Sequence, residues 1–122
     1  MPRIIHFDIS ADDPERAIRF YREVFGWQIE KWNGPFDYWL IKTGDPDEPG
    51  IDGGLARREQ PSDAITNIIG VTSVEEVVTR IVASGGRVVQ PKRVIPGVGY
   101  LATCQDTEGN VFAVMQRDES AR

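Results

Sequence analysis

Cysteine, histidine and runs of like charge are scarce in this chain of 122 residues. The single cysteine, Cys104, cannot form an intramolecular disulfide and lies outside any cluster of cysteine and histidine, so we expect a reducing compartment. Lysine and arginine number 14 against 19 acidic residues, and no run of them could follow a phosphate backbone. Nucleic acid is therefore not expected as a partner.

Long hydrophobic segments are also missing. No segment approaches the length that spans a bilayer, and the N-terminal residues lack the apolar stretch of a signal peptide. We therefore expect no membrane association and a cytoplasmic location. Hydrophobic residues make up 40% of the chain and charged residues 27%, which is the composition of an ordinary globular protein, and the length suits one domain.

The order of predicted elements repeats once along the chain. Asp13 and Pro14 predict the start of a helix and Gly26 its end, while Ser73 and Gly86 hold the start and end positions in the second half at the same offset of 60 residues. Strands fit before and after each helix, so each half predicts the order βαβββ. We therefore predict a single α+β domain of residues 1–122, with modules of about residues 1–60 and 61–122. The two modules should form an incomplete β-barrel or cup, with a helix from each on the outer face.

Seven motifs occur in order along nearly the whole chain: H-F-D-I at His6, D-P-E-R-A at Asp13, F-Y at Phe20, F-G-W at Phe25, G-I-D-G-G-L at Gly50, P-G-V-G-Y at Pro96 and D-T-E-G-N-V-F at Asp106. Together they resemble the vicinal oxygen chelate superfamily, which includes glyoxalase I, bleomycin-resistance proteins, extradiol dioxygenases and fosfomycin-resistance enzymes. Within it the chain is similar to small glyoxalase-like proteins described as related to lactoylglutathione lyase. The resemblance implies that function lies in the cup and that the chain forms a homodimer, but the fold hosts many chemistries.

The resemblance also implies four metal-ligand positions, one on the first strand and one on the last strand of each module. His6 matches the first of them. Its counterpart is Thr66, or Asn67 if the strand slips by one residue, while the last strands offer Ala113 and the side-chain-free Gly53–Gly54. Catalytic zinc sites normally keep three protein ligands. We therefore expect no intact metal centre, and no other cofactor.

His6 is the first candidate for a catalytic acid, base or hydrogen-bond donor, because it is the only side chain present whose unperturbed pKa is near neutrality. Asp8 should point the same way along the strand. The alternative for His6 is a lining residue that is hydrogen-bonded to Asp8 or to backbone. Further candidates would line the cup with apolar surface and an occasional hydroxyl or indole N–H, although the aromatic ones could instead fill core or a dimer seam. These ligand-binding candidates are Asp8, Tyr38, Trp39, Tyr100 and Met115.

These observations favour a glyoxalase/bleomycin-resistance-like protein that binds a small, largely apolar ligand in the cup without an intact metal centre. One alternative is a glyoxalase-like lyase or isomerase that uses His6, with a weakly held divalent metal. Another is a module whose partner is a different protein chain. The missing ligands at Thr66 and Ala113 favour the first reading over the enzyme. The expected partners are thus a small molecule and a second copy of the chain, with Trp27, Trp32 and Phe36 in the seam.

Overall fold

The computed structural model describes residues 2–122, and over that range two helices and eight strands follow the order βαβββ twice. The first set is β1 (Arg3–Ala11), α1 (Pro14–Phe25), β2 (Gln28–Lys31), β3 (Trp39–Lys42) and β4 (Gly53–Arg57). The second set is β5 (Ile65–Gly70), α2 (Val74–Ala83), β6 (Arg87–Ile95), β7 (Gly99–Gln105) and β8 (Val111–Arg117). The predicted α+β class with two βαβββ modules is confirmed.

The chain divides into two compact units. We call His6–Ile65 the first unit, and residues 2–5 together with Thr66–Arg122 the second unit. In the first unit the strands lie in the order β2-β3-β4-β1, where β3 is antiparallel to both neighbours and β1 runs parallel to β4. The register places Asp8 beside Gly54 and Gly54 beside Leu40. These three residues therefore form one row across the sheet, on one face.

The ends of α1 follow local backbone chemistry. Asp13 is the N-cap and its side chain accepts a hydrogen bond from the Arg16 N–H, while Pro14 occupies the first helical turn. At the other end Gly26 adopts the left-handed conformation, with φ of 71°, and its N–H bonds to the Arg22 carbonyl. The limits predicted for α1 are confirmed, whereas α2 ends at Ala83, before the predicted end at Gly86.

One face of the first unit's sheet is covered by α1. The strands and the helix bury an apolar cluster there, and the members of β1 in that cluster alternate with His6 and Asp8. His6 and Asp8 therefore lie on the opposite face of the sheet, away from α1. The buried residues of this cluster are Ile9, Ala11, Ile18, Ile29, Ile41 and Leu55.

In the second unit the strand order is β5-β8-β7-β6, with β5 parallel to β8 and the other pairs antiparallel. Ser73 caps α2 by accepting a hydrogen bond from the Glu76 N–H. The helix packs on one side of the sheet. The buried residues beneath it are Val74, Ala102, Cys104 and Val114. A separate apolar cluster on the other side contains Ile68, Leu101 and Ala113, with Ile95 and Met115 packed against them.

The sequence predicts strands over residues 36–43 and 87–90, and the structure gives both of them other limits. β3 begins at Trp39 rather than at Phe36, although one further backbone hydrogen bond joins the Trp32 N–H to the Tyr38 carbonyl. β6 was predicted to end at Gln90 but continues to Ile95 through two shifts of register, one of which contains Pro91. Such irregularities let a strand at the end of the sheet order accommodate proline. No helix within residues 2–122 is long and apolar enough to cross a membrane.

Candidate functional site

The hydroxyl of Tyr38 links His6 to Asp8 on the helix-free face of the first unit's sheet. Its Oη lies 2.7 Å from His6 Nε2 and donates a hydrogen bond to Asp8 Oδ1 at 2.5 Å. His6 Nε2 is itself 3.3 Å from the same Asp8 oxygen. The side chains of His6 and Asp8 are 25% and 33% exposed. Three polar groups therefore meet at one partly buried point.

Gly54 provides the room for this contact. A Cβ atom at Gly54 would lie 1.7 Å from the Tyr38 Oη and 2.0 Å from its Cζ, far inside van der Waals distance. At the neighbouring Gly53, a Cβ would instead meet the ring and the carbonyl oxygen of Phe7 at 2.5 Å. A glycine pair in a strand indicates a bulge or a close approach. Here side chains of the same unit make the close approach, and β4 pairs with β1 without interruption.

The environment of Tyr38 keeps its phenol protonated. Burial, followed by the negative charge of Asp8 and the hydrogen bond to it, raises the pKa of Tyr38 well above its ordinary value. The phenol can therefore act as a hydrogen-bond donor to Asp8 throughout the physiological range.

Two aromatic residues in the connection between β2 and β3, Trp32 and Phe36, pack beside Tyr38. The ring centroids of Trp32 and Tyr38 are 5.9 Å apart with an edge-on geometry, and those of Trp32 and Phe36 are 4.9 Å apart. The Trp32 N–H also donates to the Tyr38 carbonyl at 2.7 Å. Tyr38 is thus fixed by contacts within its own connection although it lies outside β3.

A groove of about 430 Å³ lies beside His6 on the same face of the sheet. Five of its eight lining residues carry polar side chains. The polar residues are His6, Gln28, Glu30, Lys42 and Asp52. Sequence reasoning missed the last four. The alternation of Gln28 and Glu30 about the buried Ile29 on β2 is the signal that could have found two of them.

Trp39 lies away from this group. It shares a face of β3 with Ile41 and packs against the α1 cluster, where Lys31 Nζ lies 5.5 Å from the centroid of its ring. Adjacent strand residues point to opposite faces, so Trp39 cannot line the face that carries His6. The structure brings His6, Asp8 and Tyr38 together, and it does not bring Trp39 to them.

In the second unit, Tyr100 and Met115 lie on opposite faces of the sheet. Tyr100 packs with the cluster under α2 and pairs with Gln116, whose side chain accepts a hydrogen bond from the Val74 N–H. Met115 pairs with Leu101 in the cluster on the face away from α2. The structure therefore does not place Tyr100 beside Met115 in one lining surface.

The comparisons with known proteins agree with the resemblance in the sequence. The family model of the Glyoxalase/Bleomycin resistance protein/Dioxygenase superfamily matches residues 3–114. A "Glyoxylase-like domain-containing protein" of Didymella fabae is 31% identical over 126 residues, which cover 94% of this chain and 94% of that protein. "Putative glyoxylase CFP32" of Mycobacterium tuberculosis is 27% identical over 120 residues, covering 93% of this chain but 43% of that protein. The chain thus spans less than half the length of this mycobacterial relative.

A solved structure of methylmalonyl-CoA epimerase in complex with methylmalonyl-CoA and NH4+ has a TM-score of 0.73 to this chain. The match covers 99% of this chain and 98% of that chain, with 15% sequence identity. At that identity the likeness establishes the fold alone.

The residues present do not fit the metal centre that the resemblance implies. His6 Nε2 is hydrogen-bonded to Tyr38, and the position at Ala113 is an apolar residue in the buried cluster of β8. Across residues 2–122, no three side chains of histidine, cysteine, aspartate or glutamate are grouped so that they could hold a metal ion. Two polar side chains from one strand make too few ligands for a catalytic zinc ion.

Proposed function

Because this chain belongs to the Glyoxalase/Bleomycin resistance protein/Dioxygenase superfamily, we propose that it binds a small organic molecule beside His6 without a metal centre. The observation that carries the proposal is the Tyr38 hydroxyl, 2.7 Å from His6 Nε2. A metal bound through that nitrogen would lie about 2.0–2.1 Å from it, on the line that the hydroxyl now occupies. Metal and hydroxyl therefore exclude one another at this nitrogen.

The ligand that the groove suits is amphiphilic rather than purely apolar. Leu40 supplies apolar surface, while Glu30 and Lys42 supply one charge of each sign. Asp52 is already engaged, because its carboxylate accepts a hydrogen bond from the Thr43 N–H at 2.9 Å. The volume of about 430 Å³ lies within the range of small-molecule sites. We therefore extend the predicted apolar ligand to one that also carries a polar group.

A metal-independent lyase or isomerase is the second candidate, and the network around His6 favours it. General acid–base catalysis needs a titratable group that is within reach of a substrate and held by its neighbours, and His6 both lines the groove and contacts Tyr38 and Asp8. A bound molecule that is chemically converted by metal-free protein would support this candidate over simple binding.

We also propose that the chain pairs with a second copy of itself. Phe20, Val24 and Phe25 of α1 are more than half exposed, which is unusual for a contiguous set of large apolar side chains. Of the aromatics predicted for a dimer seam, Phe36 is 51% exposed, whereas Trp27 packs against the α1 cluster. Sedimentation of the wild type and of Phe25→Glu tests this, with a lower mass expected for the variant.

Metal analysis combined with ligand titration tests the main proposal. Protein purified without added metal should contain no stoichiometric zinc, nickel or iron. After EDTA treatment it should still bind members of a set of small aromatic alcohols and acids, detected by saturation-transfer NMR. His6→Ala should weaken that binding, and Tyr21→Phe, which alters a tyrosine packed against the α1 cluster, should not. Binding that appears only after Zn²⁺ or Ni²⁺ is added would contradict the proposal.

A further inference from the structure

The position of one proton is determined by the partners of the Tyr38 hydroxyl. A carboxylate can only accept hydrogen bonds, so the phenol proton lies on the 2.5 Å path to Asp8 Oδ1. The phenol oxygen can then only accept from its other partner, His6 Nε2, at 2.7 Å. Asp8 Oδ1, at 3.3 Å from Nε2, is a second acceptor. Both neighbours of Nε2 are acceptors, and they are satisfied together only if Nε2 carries a proton.

The second ring nitrogen of His6 is therefore free to act on a ligand. In a neutral imidazole that is protonated at Nε2, Nδ1 holds a lone pair and is an acceptor. Nδ1 makes no hydrogen bond to any of residues 2–122, yet no side-chain nitrogen or oxygen in that range is buried without a partner. Nδ1 is consequently open to solvent, and His6 is a lining residue of the groove.

We propose that Tyr38 is a positioning residue that holds His6 in the Nε2-protonated form, and that the ligand group bound at Nδ1 is a hydrogen-bond donor, a hydroxyl or an N–H. A carbonyl or carboxylate there would bring two lone pairs together. Glu30, in the same groove, is a second acceptor, and Lys42 is left for an acceptor elsewhere on the ligand. The assignment of the ligand group rests on the proposed binding function. The assignment of the proton does not.

Nitrogen NMR of the imidazole tests the proton position directly, because His6 is the only histidine in the chain. A sample labelled with ¹⁵N-histidine is recorded at about pH 8.5, two units above the ordinary histidine pKa of about 6.5. The wild type should show Nε2 as the protonated nitrogen and Nδ1 as the unprotonated one. A wild-type spectrum with Nδ1 protonated overturns the proposal.

Variants separate an imposed tautomer from the intrinsic preference of imidazole, which already favours Nε2–H. Asp8→Ala removes the acceptor of the phenol proton, so Tyr38 should donate to Nε2 and the Nδ1-protonated population should rise severalfold. Adding Tyr38→Phe should return the ring to the ratio of free imidazole. Tyr21→Phe, which removes a phenol from the α1 side of the sheet, is the control and should leave the spectrum unchanged. If Asp8→Ala matches the wild type, Tyr38 does not position the ring.

Three ligands that share one ring test the class of the bound group. Phenol presents a hydrogen-bond donor, toluene presents no polar group, and benzoate presents an anionic acceptor. With EDTA-treated wild type, phenol should bind about three- to tenfold tighter than toluene and should shift the Nδ1 resonance, whereas benzoate should not. Benzoate binding that shifts Nδ1 more than phenol does overturns the donor assignment. If none of the three binds, the ligand assignment is overturned together with the proposed function, while the tautomer measurement still stands.

Discussion

The phenol of Tyr38 occupies the space that a side chain at Gly54 would need. The substitution Gly54→Ala should therefore lower the free energy of unfolding when Tyr38 is present, but not when Tyr38 is replaced by alanine. In Gly54→Ala the new Cβ would lie 1.7 Å from Oη, so the ring must leave. It then loses its bond to Asp8, worth about 1.5–3 kcal/mol for a charged partner, and its bond to His6, worth about 1 kcal/mol.

The expected loss lies just below the low end of that sum, which is about 2.5 kcal/mol. His6 and Asp8 are 25% and 33% exposed, so water replaces part of what Tyr38 provided, and we expect about 2 kcal/mol. Gly54 is not among the glycines with positive φ, so alanine fits the backbone and should recover about 0.4–1 kcal/mol by restricting the unfolded chain. The net destabilisation by Gly54→Ala should therefore be about 1–1.6 kcal/mol.

In a Tyr38→Ala background the same substitution should be neutral or stabilising, because the three atoms nearest to the new Cβ all belong to Tyr38. Urea unfolding of the four proteins gives the coupling free energy, which should be about 2 kcal/mol with unchanged m-values. Gly53→Ala is the matched control, since its Cβ meets Phe7, and its cost should be the same in both backgrounds. An equal cost of Gly54→Ala with and without Tyr38 would refute the reasoning.

Three further results are expected. His6→Ala should leave the fold intact and cost about 1 kcal/mol in urea unfolding, because Tyr38 keeps its bond to Asp8; a loss of several kcal/mol would indicate a structural histidine instead. Because the pKa of Tyr38 is raised in the native state, the unfolded chain releases this proton first, so stability should fall above about pH 10 in the wild type and much less in Tyr38→Phe. If the urea midpoints of the two proteins change by the same amount between about pH 9 and about pH 11, the prediction is wrong. Cys104 is fully buried and burial raises the pKa of its thiol, so a disulfide reagent should react with it only after unfolding; fast stoichiometric labelling of native protein would argue against that burial.

The helices could be predicted because their ends are set by neighbours in sequence. The side chain of Asp13 bonds to a backbone N–H three residues on, and Gly26 supplies the left-handed turn that ends α1. Ser73 caps the start of α2 in the same way as Asp13 caps the start of α1. The limits of β3 and β6 were less accessible, because a strand ends where its pairing ends, and pairing depends on residues far along the chain.

The candidate site could be predicted only in part for a related reason. Period-two alternation placed His6 and Asp8 on one face of β1. The sequence also put both Tyr38 and Trp39 in one lining surface, although adjacent residues of a strand face opposite ways. Ile41 decides whether Tyr38 or Trp39 lines the site, because Ile41 shares a face with Trp39 and is buried under α1. Packing against α1 determines which face of β3 is buried, and the alternation of residues along the strand cannot predict it alone.

The missing metal ligand and the Tyr38 network are connected through one position. The resemblance places a ligand near Gly53–Gly54, where this chain has no side chain. Any side chain at Gly54 that was long enough to bind a metal would have its Cβ 1.7 Å from the Tyr38 hydroxyl. Position 54 can therefore support either a ligand or the phenol, but not both. Since the Tyr38 hydroxyl is also hydrogen-bonded to Nε2 of His6, metal binding at these positions would require changes at Gly54 and at Tyr38 together.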